Sequence, residues 1–213
     1  MHPVLSVFLA LATSLALGGC ATPTVTGDLS EEFADQGLKR VTSSGFDTAY
    51  VHPEAGLTRF SDVRITPMQV ADVEVSNTAV SGTARNNWTM TGERERALQS
   101  LWDNSTSRAF SDYPRESGDG ATLRLDSALT QIIPGRSSGT ATGAGGQMIT
   151  GSSDSVDVSA EFRLYDDASG QLLGVIRDRR TLPGLSWTRM AGSDLANQFS
   201  RWAGLLHTRI NGR

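Results

Sequence analysis

The sequence predicts an α+β domain: a two-layer sandwich in which a mainly antiparallel sheet of about four strands carries two amphipathic helices on one face. Two observations predict it. First, residues 155–166 alternate strictly. Val156, Val158, Ala160, Phe162 and Leu164 fall on one side, and Asp157, Ser159, Glu161, Arg163 and Tyr165 on the other. That is the period of a half-buried strand. Second, two segments repeat apolar residues at helical spacing: Leu98, Leu101, Trp102 and Ala109, then Leu195, Phe199, Trp202, Leu206 and Ile210.

The other elements come in chain order. Residues 21–36 are polar and lack a sustained apolar period, so they read as a tether, with one helical turn at 29–34. The folded part begins near Leu38. Residues 46–51 look extended, and His52-Pro53-Glu54-Ala55-Gly56 reads as a turn. Val63, Ile65, Val70, Val73 and Val75 carry strand signal broken at Pro67, which points to a sheet edge or a bulge. Residues 76–90 read as loop. Thr91 is an N-cap candidate, with Glu93 and Glu95 where the helix dipole favours acids. Ser105 interrupts that helix's apolar stripe.

Ala121, Leu123 and Leu125 alternate with polar neighbours as a second strand, extended by Leu129, Ile132 and Ile133. Asp166-Asp167-Ala168-Ser169-Gly170 has turn composition, and 172–177 is the return strand of a hairpin ended by Pro183 and Gly184. Ser193 or Asp194 caps the last helix, and Asn211 and Gly212 close it. Trp102, Phe199 and Trp202 are expected to fill the layer between helices and sheet.

The N-terminus supplies an address. Residues 4–17 are apolar apart from Ser6, Thr13 and Ser14. They are too short for a membrane span, which needs about 20 residues, and have the length of a signal-peptide core. Leu17-Gly18-Gly19-Cys20 then reads as a lipobox, with cleavage between Gly19 and Cys20 and lipid attachment at Cys20. The positive charge usual before such a core is weak, with His2 and the α-amino group but no Lys or Arg. The alternatives are a secreted protein with an unlipidated cysteine, or a buried N-terminal helix. The expected organisation is a removed signal peptide at 1–19, a lipidated tether at 20–36, and one periplasmic α+β domain at 37–213 with a Gly-rich loop at 134–153.

Cys20 is the only cysteine, so lipidation leaves no thiol for a disulfide, a nucleophile or a soft metal site. The net charge of −4 with no basic block argues against nucleic acid. Lys39 is the only lysine, and the arginines are scattered, several of them alternating with apolar residues in strands.

Candidate chemistry is sparse. His52 lies beside a turn and His207 on the last helix, with no metal-ligand spacing around either, so no metal or other cofactor is expected. Gly135-Arg136-Ser137-Ser138-Gly139 matches a nucleophile string. Such a string works on a sharp turn from strand into helix, and the residues after Ser137 are Gly-rich and polar. Asp166 and Asp167 share a turn, where Asp is favoured for backbone reasons. Gly135, Gly139, Gly143, Gly145, Gly146 and Gly151 make neither a phosphate loop nor a dinucleotide fingerprint. They read as a long hairpin loop, disordered or partner-binding.

Several blocks in order resemble the bacterial lipoprotein family known as domain of unknown function 3313. They are Val51-His52-Pro53-Glu54-Ala55-Gly56-Leu57-Thr58-Arg59-Phe60 leading into Val63-Arg64-Ile65-Thr66-Pro67; Leu123-Arg124-Leu125-Asp126-Ser127-Ala128-Leu129-Thr130; Glu161-Phe162-Arg163-Leu164-Tyr165-Asp166 with Ser169-Gly170-Gln171-Leu172-Leu173 and Asp178-Arg179-Arg180; and the helix containing Trp202. The resemblance implies a Gram-negative envelope lipoprotein and transfers no catalytic residues. Ala21 after the cysteine is similar to the pattern of lipoproteins sorted to the outer membrane.

The expected function is a non-enzymatic outer-membrane lipoprotein. Its domain faces the periplasm, it is held to the membrane by its lipid, and it binds an envelope protein or glycan. The alternatives are an envelope-acting hydrolase using His52 or His207 with a carboxylate or Ser137, and a homo-oligomeric structural subunit.

Overall fold

The computed structural model describes residues 31–70, 73–75, 90–116, 118–134, 141–142, 148–149, 155–183 and 193–212. The expected signal peptide, Cys20, Ser137 and most of the Gly-rich loop lie outside them. The fold is α+β. In chain order it comprises a 3-10 turn at Glu31–Gln36, β1 (Lys39–Arg40), β2 (Thr48–Val51), a second 3-10 turn at Leu57–Arg59, β3 (Asp62–Ile65), β4 (Glu74–Val75), α1 (Gly92–Ala109), β5 (Thr122–Pro134), β6 (Ala141–Thr142), β7 (Met148–Ile149), β8 (Ser155–Asp166), β9 (Leu172–Pro183) and α2 (Ser193–Ile210).

The sheet differs from the expected four antiparallel strands. Its path is β1-β2-β9-β8-β5-β3, with β4 also on β5, making seven strands. β3 and β4 run parallel to β5, so the sheet is mixed. α1 supplies the physical reason. A helix between two strands carries the chain back to the end where it started, so the strands it joins can run the same way. β1 and β4, at two residues each, are too short to show a period in sequence. Within the glycine-rich stretch, β6 and β7 pair with each other as a separate antiparallel ladder.

β8 and β9 form the predicted hairpin. Its turn is closed by Gly170 N–H to Asp166 O (2.8 Å), and the Asp166 side chain accepts from Ala168 N and Ser169 N. Gly170 has φ 72°, a conformation that favours glycine. Pro67 follows the edge strand β3, and pairing with β5 resumes at Gln69 and then β4, so the proline marks an interrupted edge.

The apolar side of β8 is buried as its alternation requires, and Phe162 organises it. Its ring stacks on Trp102 of α1 (5.6 Å) and meets Trp202 of α2 edge-on (5.7 Å). Phe199 closes the group against both tryptophans. Ser105, the interruption in the α1 stripe, is buried where the helices meet. It donates to Leu101 O (2.8 Å) and lies 3.3 Å from Ser200 Oγ. A small hydroxyl lets the two helices approach while keeping its own hydrogen bond.

The opposite side of β9 is partly covered too. Phe33, in the first 3-10 turn, is buried with Leu38 and Val175, its ring 5.3 Å from Tyr50. The last turn of the expected tether therefore packs on the sheet. Nothing in the polar composition of 21–36 signals this; one aromatic covering one outward-facing valine suffices. The rest of that face is a charged ladder. Glu161 accepts from Arg163 Nε and Arg177 Nε (both 2.6 Å), and Asp157 accepts from Thr181 Oγ1 (2.6 Å) and pairs with Arg179. The arginines that alternate with apolar residues are thus the outward side of strands.

α1 begins as predicted: Thr91 has extended φ and ψ, and its hydroxyl accepts from Arg94 N at 3.3 Å. Thr91→Ala is expected to cost about 0.5–1 kcal/mol, the lower part of the range for such caps because the bond is long. Urea denaturation checks this, and an unchanged midpoint would contradict it.

Candidate functional site

The last turn of α2 faces His52 across a cavity on one side and carries His207 on the other. On one side, Ala49 pairs with Ile176 and Val51 with Gly174, which turns the core side of β2 and β9 toward α2. His52 N–H bonds Leu173 O (2.8 Å), and Ala55 N–H bonds His52 O (2.9 Å), closing the turn that the Pro and Gly predict. A Cβ on Gly212 (φ 70°) would lie 2.8 Å from Thr58 Cγ2, so α2 ends directly against this segment.

Between them is a cavity of about 340 Å³. Its wall is aliphatic apart from Phe46, with Val41, Ala49, Val51, Leu57, Leu164, Ile176, Leu206 and Ile210 contributing. Its polar lining groups include Ser44, His52 and Arg209. Arg209 donates from Nε to Ser44 O (2.8 Å) and from Nη2 to Ser43 O (3.0 Å). His52 Nδ1 accepts from Glu54 N (3.3 Å), which leaves the proton of the neutral ring on Nε2.

On the other side, His207 Nε2 is 2.8 Å from both Asp112 Oδ1 and Asn211 Nδ2. Asn211 Oδ1 accepts from Tyr113 Oη and Arg115 Nη1, each at 2.7 Å, and this turns the amide nitrogen toward His207. With its proton on Nε2 the ring donates to Asp112; with Nε2 unprotonated it accepts from Asn211. Phe110 and Tyr113 meet the imidazole edge-on, and burial raises the Tyr113 hydroxyl above its ordinary value. The cluster ties the end of α2 to residues 110–115. Among the described residues, the ring partners of His207 are a carboxylate and an amide. His207 is absent from the lining of the cavity beside His52.

Asp166 and Asp167 are engaged as their turn predicts, with partners the sequence hides. Arg59 bridges Asp119 (3.0 Å) and Asp166 (2.7 Å), and Arg64 pairs with Asp167. Asp166 is held below the usual carboxylate range mainly by the Ser169 N–H, with Arg59 adding to it; Asp167 is held down by the Arg64 bond. Among the described residues, no group of three or more His, Cys, Asp or Glu side chains is placed to hold a metal ion. Among the same residues, no helix is long and apolar enough to cross a membrane.

One buried carboxylate escapes a reading by motif. Asp178 is 2 % exposed, on the core side of β9. Its Oδ2 accepts from Trp202 Nε1 (2.6 Å) and lies 2.7 Å from Arg180 Nε, while Oδ1 accepts from Asp47 N (3.0 Å). A signal for it existed: counting by twos from Ile176 to Leu182 puts Asp178 in a core position.

No family model matches the chain. No curated protein matches it either. Solved structures overlap it loosely. A point variant of the PelC dodecamer from Paraburkholderia phytofirmans has a TM-score of 0.35 and 14% identity, covering 73% of this chain and 90% of that one. The PelC dodecamer in a second crystal form gives 0.34 and 13%, covering 69% and 89%. The protein XCC0632 from Xanthomonas campestris, of family DUF330, gives 0.36 and 12%, covering 71% and 84%. This overlap is too loose to carry residue roles or activity from those proteins to this chain.

Proposed function

We propose that this chain is a non-enzymatic lipoprotein of the DUF3313 type. It is anchored in the outer membrane through Cys20, with its domain in the periplasm, and binds another envelope component, a protein or a glycan. The two-layer arrangement, with both helices on one side of the sheet, belongs to the same reading, and the contact of Phe162 with both Trp102 and Trp202 supports it. The observation that carries the binding reading is the cavity beside His52. It is walled by aliphatic side chains, and two of its polar groups, His52 and Arg209, are engaged with backbone.

The full chain with its native N-terminus is expressed in a Gram-negative host beside Cys20→Ser. The wild type is expected to carry the added mass of acyl chains and to sediment with outer membrane, and the variant is expected to do neither. An unmodified wild-type mass overturns the anchor. Crosslinking in intact cells then tests binding: if no specific envelope protein or glycan is recovered above the Cys20→Ser control, the binding role falls.

A second reading, an envelope-acting hydrolase, is favoured by the 2.8 Å contact of His207 with Asp112. Turnover of an envelope ester or glycan that His207→Ala abolishes would put it in place of the first.

A further inference from the structure

We propose that the cavity between β2, β9 and the last turn of α2 binds a free single-chain fatty acid, with the alkyl chain inside and the carboxylate at Arg209. That a membrane supplies the ligand rests on the anchor reading above; the site itself does not.

Three observations carry it. The first is the cavity itself. About 340 Å³ stays open between the strands and the end of α2. Small residues keep it open: Ala49 and Ala55, each 3 % exposed, stand in its wall, where a longer aliphatic side chain would fill it.

The second is the lining. An apolar cavity offers water no partners and accepts apolar ligands instead. A polar ligand body would lose its hydrogen bonds on entering, at a cost nothing in the aliphatic wall offsets. The volume is at the small end of ligand pockets, about 300–1,000 Å³, which suits one chain rather than a two-chain lipid.

The third is charge. Arg209 carries a permanent positive charge, and it spans from the cavity lining to Ser43 O and Ser44 O. An anionic head on an apolar chain is the ligand class that meets both features.

The test uses the full chain carrying Cys20→Ser, which has no covalent acyl group, titrated with dodecanoate below its micelle concentration. One dodecanoate per chain is expected, with a rise in the thermal midpoint. Hexanoate and dodecanol are each expected to bind about tenfold more weakly or worse, the first through lost apolar contact and the second through the lost charge. Ala49→Leu is expected to weaken dodecanoate by about tenfold or more while keeping the unliganded midpoint at or above that of its parent. If Ala49→Leu does not fold, Ala55→Leu takes its place. Arg209→Gln is expected to weaken dodecanoate and leave dodecanol unchanged.

Absence of saturable binding, more than one ligand per chain, or undiminished binding in the filled variant overturns the proposal. So does binding by Cys20→Ser but not by the lipidated wild type, which would mean that the cavity holds the chain's own anchor. Intact mass reports lipidation separately, so an anchor reading that fails leaves the binding result standing.

Discussion

Replacing Trp202 with alanine is expected to lower the unfolding free energy by about 3–5 kcal/mol. The indole is fully buried, 5.7 Å from Phe162 and 5.8 Å from Phe199 between ring centres. Its removal leaves a cavity at the point where α2 meets the central strand. It also takes away the Nε1 donor that Asp178 Oδ2 accepts at 2.6 Å. A domain of this size has about 5–15 kcal/mol in all, so the variant sits near its unfolding threshold. Urea denaturation measures the loss. Trp202→Phe separates the two causes, since it keeps a ring and removes the donor, and should cost about 1–3 kcal/mol. A Trp202→Ala loss below about 1 kcal/mol, no more than an average substitution, would contradict the central packing role given to this ring.

The second large effect is at Asp178, and its sign depends on pH. Truncation to alanine leaves the buried Trp202 N–H and the Asp47 N–H without their acceptor, while Arg180 keeps Gly45 O and Asp47; leaving such buried donors unmet costs about 1–3 kcal/mol each. Asparagine keeps the shape and an acceptor but removes the charge. Burial, the largest influence, pushes the Asp178 carboxyl above its ordinary value of 3.8, against the lowering effect of Trp202, the Asp47 N–H and Arg180. The folded state therefore holds its proton more tightly than the unfolded chain does. That contribution is fully present below the unfolded value and is lost as pH rises through the folded one. The stability advantage of the wild type over Asp178→Asn should accordingly shrink as pH is raised from below 3.8, followed by chemical denaturation at a series of pH values. An advantage that widens with pH would mean that the hydrogen bonds and Arg180 outweigh burial.

The two helices and the β8–β9 hairpin were legible because each is written in a local period. Thr91 before Glu93 and Glu95, the alternation from Val156 to Leu164, and Gly170 at the turn each act over a few residues. The parallel pairing of β3 and β4 with β5 was not legible, because strand composition does not record direction. Phe33 lay in a segment whose average polarity hid its one buried ring. Asp178 was readable in principle, as a charge in an apolar register, and the adjacent Arg179 and Arg180 masked it as the polar end of a strand. His207 was placed correctly on the last helix, but its partner Asp112 is 95 positions away.

The sequence by itself determined the α+β class, the helices, the long hairpin and the expectation of lipid at Cys20. Each depends on neighbours within a turn of helix, a few strand residues or a four-residue motif. The tertiary structure alone decided the mixed sheet, the bridging of Asp119 and Asp166 by Arg59, the burial of Asp178 under Trp202, and the cavity at the end of α2. The physical reason is range. Those features are made by atoms from segments as far apart as residues 41–75, 119–134, 164–178 and 202–212, and strand pairing together with the packing of the helices on Phe162 brings such distant pieces of chain within reach of one another.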